Sequence, residues 1–322
     1  MLPLTLDDFA DARERIKHRV HCTPMQTSTF LGREIGTELH LKCENFQKTG
    51  SFKVRGALNK LTQLDESARA RGVITVSAGN HAQALAWAAA ETGISATVVM
   101  PQNASKIKAE AATGYGAEVI LHGTVHDLFD KARALEQDRG LTFIHPFDDP
   151  QIIAGAGSVG LEILEQCPQV TTIVAPIGGG GHISGIAGAA KMSRPNLRIF
   201  GVEPTGASTM RQSLDAGHAV HADAVDTIAD GLAPPMAGEL NYEFVKECVD
   251  DVVLVTDDEI VHAMGLLMSR AKLVTEPAGA AATAALLAGR IPIAPGDVVV
   301  AIVSGGNIDP TSLLRLLTTD SD

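Results

Sequence analysis

Short apolar runs recur along this chain, each followed by a longer stretch with helical spacing. Leu6 to Val20 keeps its apolar residues on one face and begins with Asp7 and Asp8, where carboxylates suit a helix dipole, so an amphipathic helix is predicted there. Glu38 to Cys43 alternates like a strand. Gly72 to Val76 predicts a strand that turns at Ser77–Asn80 into an Ala-rich helix through Glu91. Ala96 to Met100 and Glu118 to Leu121 predict further strands, with helices at Ser105 to Thr113 and Asp127 to Gln137. Thr172 to Pro176 leads into Gly178–Gly181 and a small-residue helix, and Arg198 to Val202 and Asp297 to Val303 complete the strands. Unbroken apolar runs separated by helices indicate parallel strands buried on both faces, hence an α/β fold with βαβ crossovers. Glycine-containing strand-to-helix turns near Ser77 and Gly178 suggest two sheets facing a shared cleft.

Composition narrows the picture. The chain has 322 residues, a length that suits one large or two medium domains. Aromatics are only 4% while Ala and Gly abound, and small residues let helices pack closely on a sheet. The net charge of −12 makes a nucleic-acid backbone a poor partner. Four cysteines stand far apart with no CxxC, so buried free thiols in a reducing compartment are expected. The N-terminus becomes charged too early for a signal peptide, and no apolar run reaches the ~20 residues that span a bilayer. No membrane partner is expected, and the cytoplasm is the default.

Four motifs carry chemistry. In Gln47–Gly56, QKTGSFKVRG, Lys53 follows Phe52 in an apolar setting. Partial desolvation lowers a lysine pKa and makes the amine nucleophilic towards an aldehyde, although a solvated lysine on a first helical turn is the plainer reading. Ser77–His81, SAGNH, opens a helix after a buried strand; its backbone N–H groups form an anion site, or its Ser and Asn simply cap the helix. His81 reads as a structural hydrogen-bonding residue. Gly178–Gly185, GGGGHISG, removes four consecutive side chains and lets the backbone wrap an anion at a helix N-terminus, with phosphate the natural guest. It is neither a P-loop nor a G-x-G-x-x-G fingerprint, yet Glu203 ends the next strand 22 residues past Gly181, as a ribose-binding acid does. Ser304–Asn307, SGGN, ends the last strand, where Ser304 points into the crevice or forms a polar turn. Asp230 in TIADGL and Glu276 in TEPAG are carboxylates near small residues, each read first as a salt bridge or cap.

Together and in this order, the motifs resemble the fold-type-II pyridoxal-phosphate enzymes, and most closely the threonine/serine dehydratase (ammonia-lyase) and serine racemase family. The resemblance runs from about Thr23 to Asn307. It implies two open, twisted, mostly parallel sheets flanked by helices, as in the tryptophan synthase β chain. It implies a small mobile domain at residues 72–148 within a large cofactor-binding domain made of 1–71 and 149–322. Lys53 would carry pyridoxal 5′-phosphate as a Schiff base and move the α-proton. Phe52 would pack on the cofactor ring, Asn80 would bond its 3′-hydroxyl, and Ser304 would face its ring nitrogen. Gly178, Gly179, Gly180 and Gly181, with His182 beside them, would hold its phosphate. Ser77, Ala78, Gly79, Asn80 and His81 would take the carboxylate of a small β-hydroxy amino acid. A homodimer is the family's usual assembly.

Three departures qualify the resemblance. Related racemases carry a second serine where Ala78 stands, as the base on the opposite cofactor face, so elimination is favoured over racemisation. A divalent cation, bound in some members at positions matching Glu203, Ala207 and Thr209, meets a weaker third ligand in Thr209. The chain closes soon after SGGN, so the C-terminal regulatory domain of feedback-inhibited dehydratases is not expected. The competing readings are a serine or hydroxyaspartate racemase/dehydratase of the same fold, a nicotinamide-dependent Rossmann oxidoreductase built on Gly178–Gly181 and Glu203, and an amino-acid-binding regulator without chemistry.

Overall fold

The computed structural model describes residues 2–124 and 127–318. Two sheets organise it. The larger has six strands in the order β1-β2-β10-β7-β8-β9, formed by Met25–Thr27 (β1), Glu38–Cys43 (β2), Thr172–Pro176 (β7), Arg198–Pro204 (β8), Asp251–Val255 (β9) and Val298–Val303 (β10). Only β1 runs antiparallel to its neighbour. The smaller, all-parallel sheet has the order β5-β4-β3-β6, from Val73–Val76 (β3), Ala96–Met100 (β4), Glu118–Leu121 (β5) and Thr142–Phe143 (β6). The predicted strands β2, β4, β5 and β7 have the ends expected of them. β8 runs on to Pro204 because Glu203 and Pro204 pair with Leu254 and Val255 of β9, a strand the sequence reading passed over.

Helices follow the strands in crossover positions. They are Leu6–Ile16 (α1), Thr29–Ile35 (α2), Lys53–Leu61 (α3), Glu66–Arg71 (α4), Asn80–Thr92 (α5), Lys106–Gly114 (α6) and Leu128–Arg139 (α7), then Pro150–Gln166 (α8), Gly181–Ser193 (α9), Thr209–Ala216 (α10), Glu239–Cys248 (α11), Asp257–Leu266 (α12), Pro277–Leu287 (α13) and Pro310–Thr318 (α14). Helix α1 starts at a capping box between Thr5 and Asp8. It stops at Ile16, four residues short of the predicted end, and Val20 still reaches the core through a turn whose N–H bonds the Ile16 carbonyl. Pro150 starts α8, where its missing N–H costs nothing, and the Asp149 carboxylate accepts from the N–H groups of Gln151 and Ile152. Among the described residues no helix is long and apolar enough to cross a membrane. All four cysteines are free; three are buried as expected, and Cys22 is exposed.

Helices α3, α8 and α9 approach one another at backbone distance. A Cβ on Gly155 would fall 2.5 Å from the Arg55 carbonyl, and one on Gly56 would fall 2.8 Å from that of Ile152. Beside this contact lies a buried ionic cluster. Arg55, fully buried on α3, donates to both oxygens of Glu44 and both of Glu162, to Ser158, and to the His21 carbonyl. Lys42 of β2 donates to Glu162 at 2.6 Å, to Gln166, and to the Thr23 carbonyl. Burial pushes the Glu44 carboxyl up, but the Arg55 guanidinium outweighs it and holds the group below its ordinary pKa.

Arg55→Leu leaves two buried carboxylates facing Lys42 alone. Urea unfolding is expected to show a loss of about 3–5 kcal/mol relative to the parent chain.

Candidate active site

The carboxyl ends of β3, β7 and β10 meet where α3 begins. After β7 the chain enters Gly178–Gly181, and the backbone N–H groups from Gly178 through Ile183 donate to no described protein acceptor. The glycines are required by packing as well as by this exposed backbone. A Cβ on Gly181 would fall 2.7 Å from the Phe147 carbonyl, and one on Gly178 would fall 2.9 Å from that of Gly231. Gly180 adopts φ +100°, a left-handed conformation that favours glycine. Asn241, wholly buried on α11, pins the loop by donating to the Gly179 carbonyl at 3.0 Å and to that of Phe147. Six unpaired N–H groups at the positive end of a thirteen-residue helix suit an anionic oxygen cluster.

A second bank of donors lies at the end of β3. The N–H of Gly79 bonds Ser77 Oγ, while those of Ala78, Asn80 and His81 have no described acceptor. Gly79 has φ −130°, and a Cβ there would meet nothing within 4 Å. Its bare backbone therefore answers to open space and not to a protein neighbour.

Lys53, the first residue of α3, stands between these banks. Its position on a first helical turn matches the plainer expectation, but its surroundings do not. Nζ donates to the Pro146 carbonyl at 2.9 Å and lies 5.2 Å from the Phe52 ring centroid. Burial pushes its pKa down to about 8, with Glu276 pulling weakly the other way. The Phe52 ring stacks on His182 with centroids 3.6 Å apart and an interplanar angle of 17°. Only the opposite face of Phe52 is left for another flat group.

The SGGN strip runs beside TGSF. The N–H of Phe52 donates to the Ser304 carbonyl, that of Gly306 donates to the Gly50 carbonyl, and Ser304 Oγ donates to the Ala278 carbonyl at 3.3 Å. Asn80 reaches across from α5: its Nδ2 donates to Glu276 at 2.6 Å, and its Oδ1 accepts from Asn307 at 2.7 Å. Glu276 and Asn307 thus belong to the cluster, although the sequence reading favoured a cap or ion pair for the first and gave the second no role. Burial pushes Glu276 up to about 7, opposed by the Asn80 hydrogen bond. Asp230 does form an ion pair, with Lys108 of α6 at 3.1 Å, from the larger sheet's side to the smaller sheet's.

Glu203, Ala207 and Thr209 gather elsewhere, at the head of α10. Both Glu203 oxygens accept backbone N–H groups, from Met210 and Arg211, at 2.8 Å each. Burial pushes this carboxyl up to about 8 against those two bonds. Both oxygens are engaged by backbone donors, an arrangement unlike that of an acid free to receive a ribose.

An amine with a lowered pKa, a phosphate-sized bank of bare N–H groups and a polar strip that can edge a flat ring define a site for an aldehyde-bearing phosphorylated cofactor. Residues 16–305 match the family model described as pyridoxal-phosphate dependent enzyme, and the chain belongs to that family. It is similar to the L-threonine dehydratase catabolic TdcB of Escherichia coli strain K12, 44% identical over 310 residues, covering 96% of this chain and 94% of that one. It is also similar to the L-threonine ammonia-lyase of Thermotoga maritima, 43% identical over 315 residues, with 98% and 78% covered. The solved structure of maize serine racemase superposes with a TM-score of 0.93 at 39% identity, covering 98% and 97% of the two chains. Pyridoxal phosphate is the family's cofactor, so the dinucleotide reading is set aside, and the unpaired N–H groups of Gly178 to Ile183 fit its phosphate.

Two glycine variants separate packing from binding. Gly181→Ala is expected to lose about 1–3 kcal/mol in thermal or urea unfolding, because its new methyl meets the Phe147 backbone. Gly79→Ala is expected to stay within about 1 kcal/mol of the parent.

Proposed function

We propose that this chain is a pyridoxal-phosphate-dependent ammonia-lyase that converts L-threonine, L-serine or a related β-hydroxy amino acid to a 2-oxo acid and ammonia. The observation that carries the proposal is Lys53: a partly buried amine with its pKa lowered to about 8, set between two banks of unpaired backbone N–H groups. The likeness to relatives named L-threonine dehydratase and L-threonine ammonia-lyase supports the same reaction.

The residues divide the work. Lys53 would hold the cofactor through its amine, and Gly178 to Gly181, with the His182 N–H, would hold the phosphate. Phe52 would lie along the ring on the face that His182 leaves free. Asn80, braced by Glu276 and Asn307, would bond the ring hydroxyl, and Ser304 would bond the ring nitrogen. When bound, pyridoxal phosphate supplies an electron sink conjugated to the amino acid's α-carbon. The N–H groups of Ala78, Asn80 and His81 would take the substrate carboxylate, helped by the Ser77 hydroxyl and by the clear space at Gly79. The freed Lys53 Nζ would remove the α-proton, the β-hydroxyl would take a proton from a group beside the cofactor phosphate and leave as water, and hydrolysis of the released enamine would give the 2-oxo acid and ammonia. The neutral hydroxyl of Ser304 would give the ring nitrogen a hydrogen bond without a full proton, which would favour prompt loss of the β-substituent. Residues 72–148 would move as a unit to close the cleft and exclude water, with the Lys108–Asp230 pair bridging the mouth.

The likeness to maize serine racemase supports a second activity, racemisation, in the same site. Ala78 offers no group to move a proton on the face away from Lys53, so elimination is expected to dominate.

Lys53→Ala should abolish both the visible absorption of purified holoenzyme and keto-acid formation from L-threonine and L-serine. Full turnover in that variant would overturn the assignment. Ala78→Ser is expected to raise D-serine formation from L-serine, measured by chiral chromatography; an unchanged rate would remove Ala78 from the far face.

A further inference from the structure

Beneath the start of the lysine helix, a small cavity is enclosed by Lys53, Gly56, His81, Pro146, Ala156 and His182, among others. Ile152 and Gly181 also line it, and Gly56 is bare there because a Cβ would meet the Ile152 backbone at 2.8 Å. Three imidazole nitrogens in its wall are buried without any hydrogen-bond partner: Nε2 of His81 and both Nδ1 and Nε2 of His182. The two residues are only 3% and 6% exposed, so bulk water does not satisfy them. When its amine is free, as it would be while the substrate occupies the cofactor, Lys53 Nζ can donate two or three hydrogen bonds; here it makes one, to Pro146. A pocket of this size lined by several unpaired polar atoms is the kind that takes an ordered water.

We propose that this cavity is a single-water site joining His81, His182 and Lys53, and that His182 is a positioning residue for the Lys53 amine. The inference rests on the reading of Lys53 as the reacting amine. Burial holds the His81 imidazole well below its ordinary pKa, so the ring is neutral and its unpaired Nε2 can accept a hydrogen bond in one of its two tautomers. The water would donate to His81 Nε2 and to one His182 nitrogen, and accept from Lys53 Nζ. Three bonds are the usual number for a buried water. His182 cannot swing away, because its ring is clamped flat against Phe52. The water, and through it Nζ, would be held beside the Pro146 carbonyl in one orientation. Burial first, and then the Lys53 charge, keeps both imidazoles well below their ordinary pKa. The site therefore orients the amine without placing a second positive charge beside it.

The test is a high-resolution crystal structure of the holoenzyme together with two variants. A water within hydrogen-bond distance of His81 Nε2 and a His182 nitrogen is expected. A dry cavity, or His182 nitrogens bonded to the cofactor instead, would overturn the proposal. His182→Leu should retain the cofactor's visible absorption while kcat for the β-hydroxy amino acid falls on the order of threefold to tenfold, with KM little changed, as for the loss of one or two hydrogen bonds. His182→Gln, which restores a donor and an acceptor, should recover most of that loss. Unchanged kcat in His182→Leu, or no recovery in His182→Gln, counts against His182. Loss of visible absorption in His182→Leu would mean that His182 holds the cofactor itself, which also overturns the proposal. Failure of the functional reading would look different: wild-type protein with no cofactor joined to Lys53.

Discussion

Two cations and two carboxylates share the dry space behind Lys53, and the site depends on how they are held. Arg55 lies two positions after Lys53 on the same short helix, and its guanidinium reaches Glu44, which follows β2, and Glu162 on α8. Lys42 ties β2 to that same Glu162. Burying four charges is costly, and apolar residues of equal volume could fill the space. What the cluster supplies is direction. A guanidinium with five donors in a rigid fork fixes its partners far more tightly than side-chain packing does. Helix α3 is thereby locked to the larger sheet in rotation as well as in distance, and the lysine at its first turn is aimed by its neighbour.

The cluster also separates two electrostatic tasks on one helix. Arg55 consumes the nearby carboxylates, so no acid is left within hydrogen-bond reach of Lys53, whose Nζ bonds only a carbonyl. Glu276, the acid whose field does reach Lys53, spends its hydrogen bond on Asn80. An amine surrounded by a carbonyl, an aromatic ring and two neutral imidazoles loses more solvation than it recovers, and its pKa falls. Had Glu162 faced Lys53 instead of Arg55, the same burial would have given a fixed ammonium and a poor nucleophile.

Much of this was legible in the chain. β2 could be bounded by its alternation, and β4, β5 and β7 by short apolar runs between helices, although β5 lies at the sheet edge with both ends exposed. The four glycines after β7 were readable as an anion loop because so much lost backbone order needs a reason. The less visible parts depend on contacts distant in sequence. DVVLV of β9 is an apolar run of the same kind, but it lies half-buried at the edge of the sheet and pairs with β8 alone. Glu276 lies 196 residues from Asn80, and nothing in TEPAG distinguishes a carboxylate that braces an asparagine from one that caps a helix. The reason for Gly181 is similar: Phe147 is distant in the chain and adjacent in space. The Phe52–Lys53 pair suggested partial desolvation, but the residues that enclose Lys53 include Pro146, His81 and His182, which no local window contains.

Small residues connect these observations. An α/β protein must bring helix N-termini to the ends of its strands if backbone N–H groups are to serve as ligands, and α5 and α9 both do so without a side-chain cap. An ordinary Ser, Asp or Asn cap would satisfy those donors internally and close the site. Gly79 and Gly180 stand at the cap positions instead, so the N–H groups stay free. Each helix gives up a local bond at its first turn, and that loss must be offset elsewhere. The offset is visible in the burial of α8 between α3 and α9, where Gly56 and Gly155 let the backbones touch, and in the Asn241 bonds that hold the open loop from behind. The richness in Gly and Ala is therefore one solution to two problems: it leaves backbone donors unpaired at the heads of α5 and α9, and it tightens the interior enough to tolerate leaving them so.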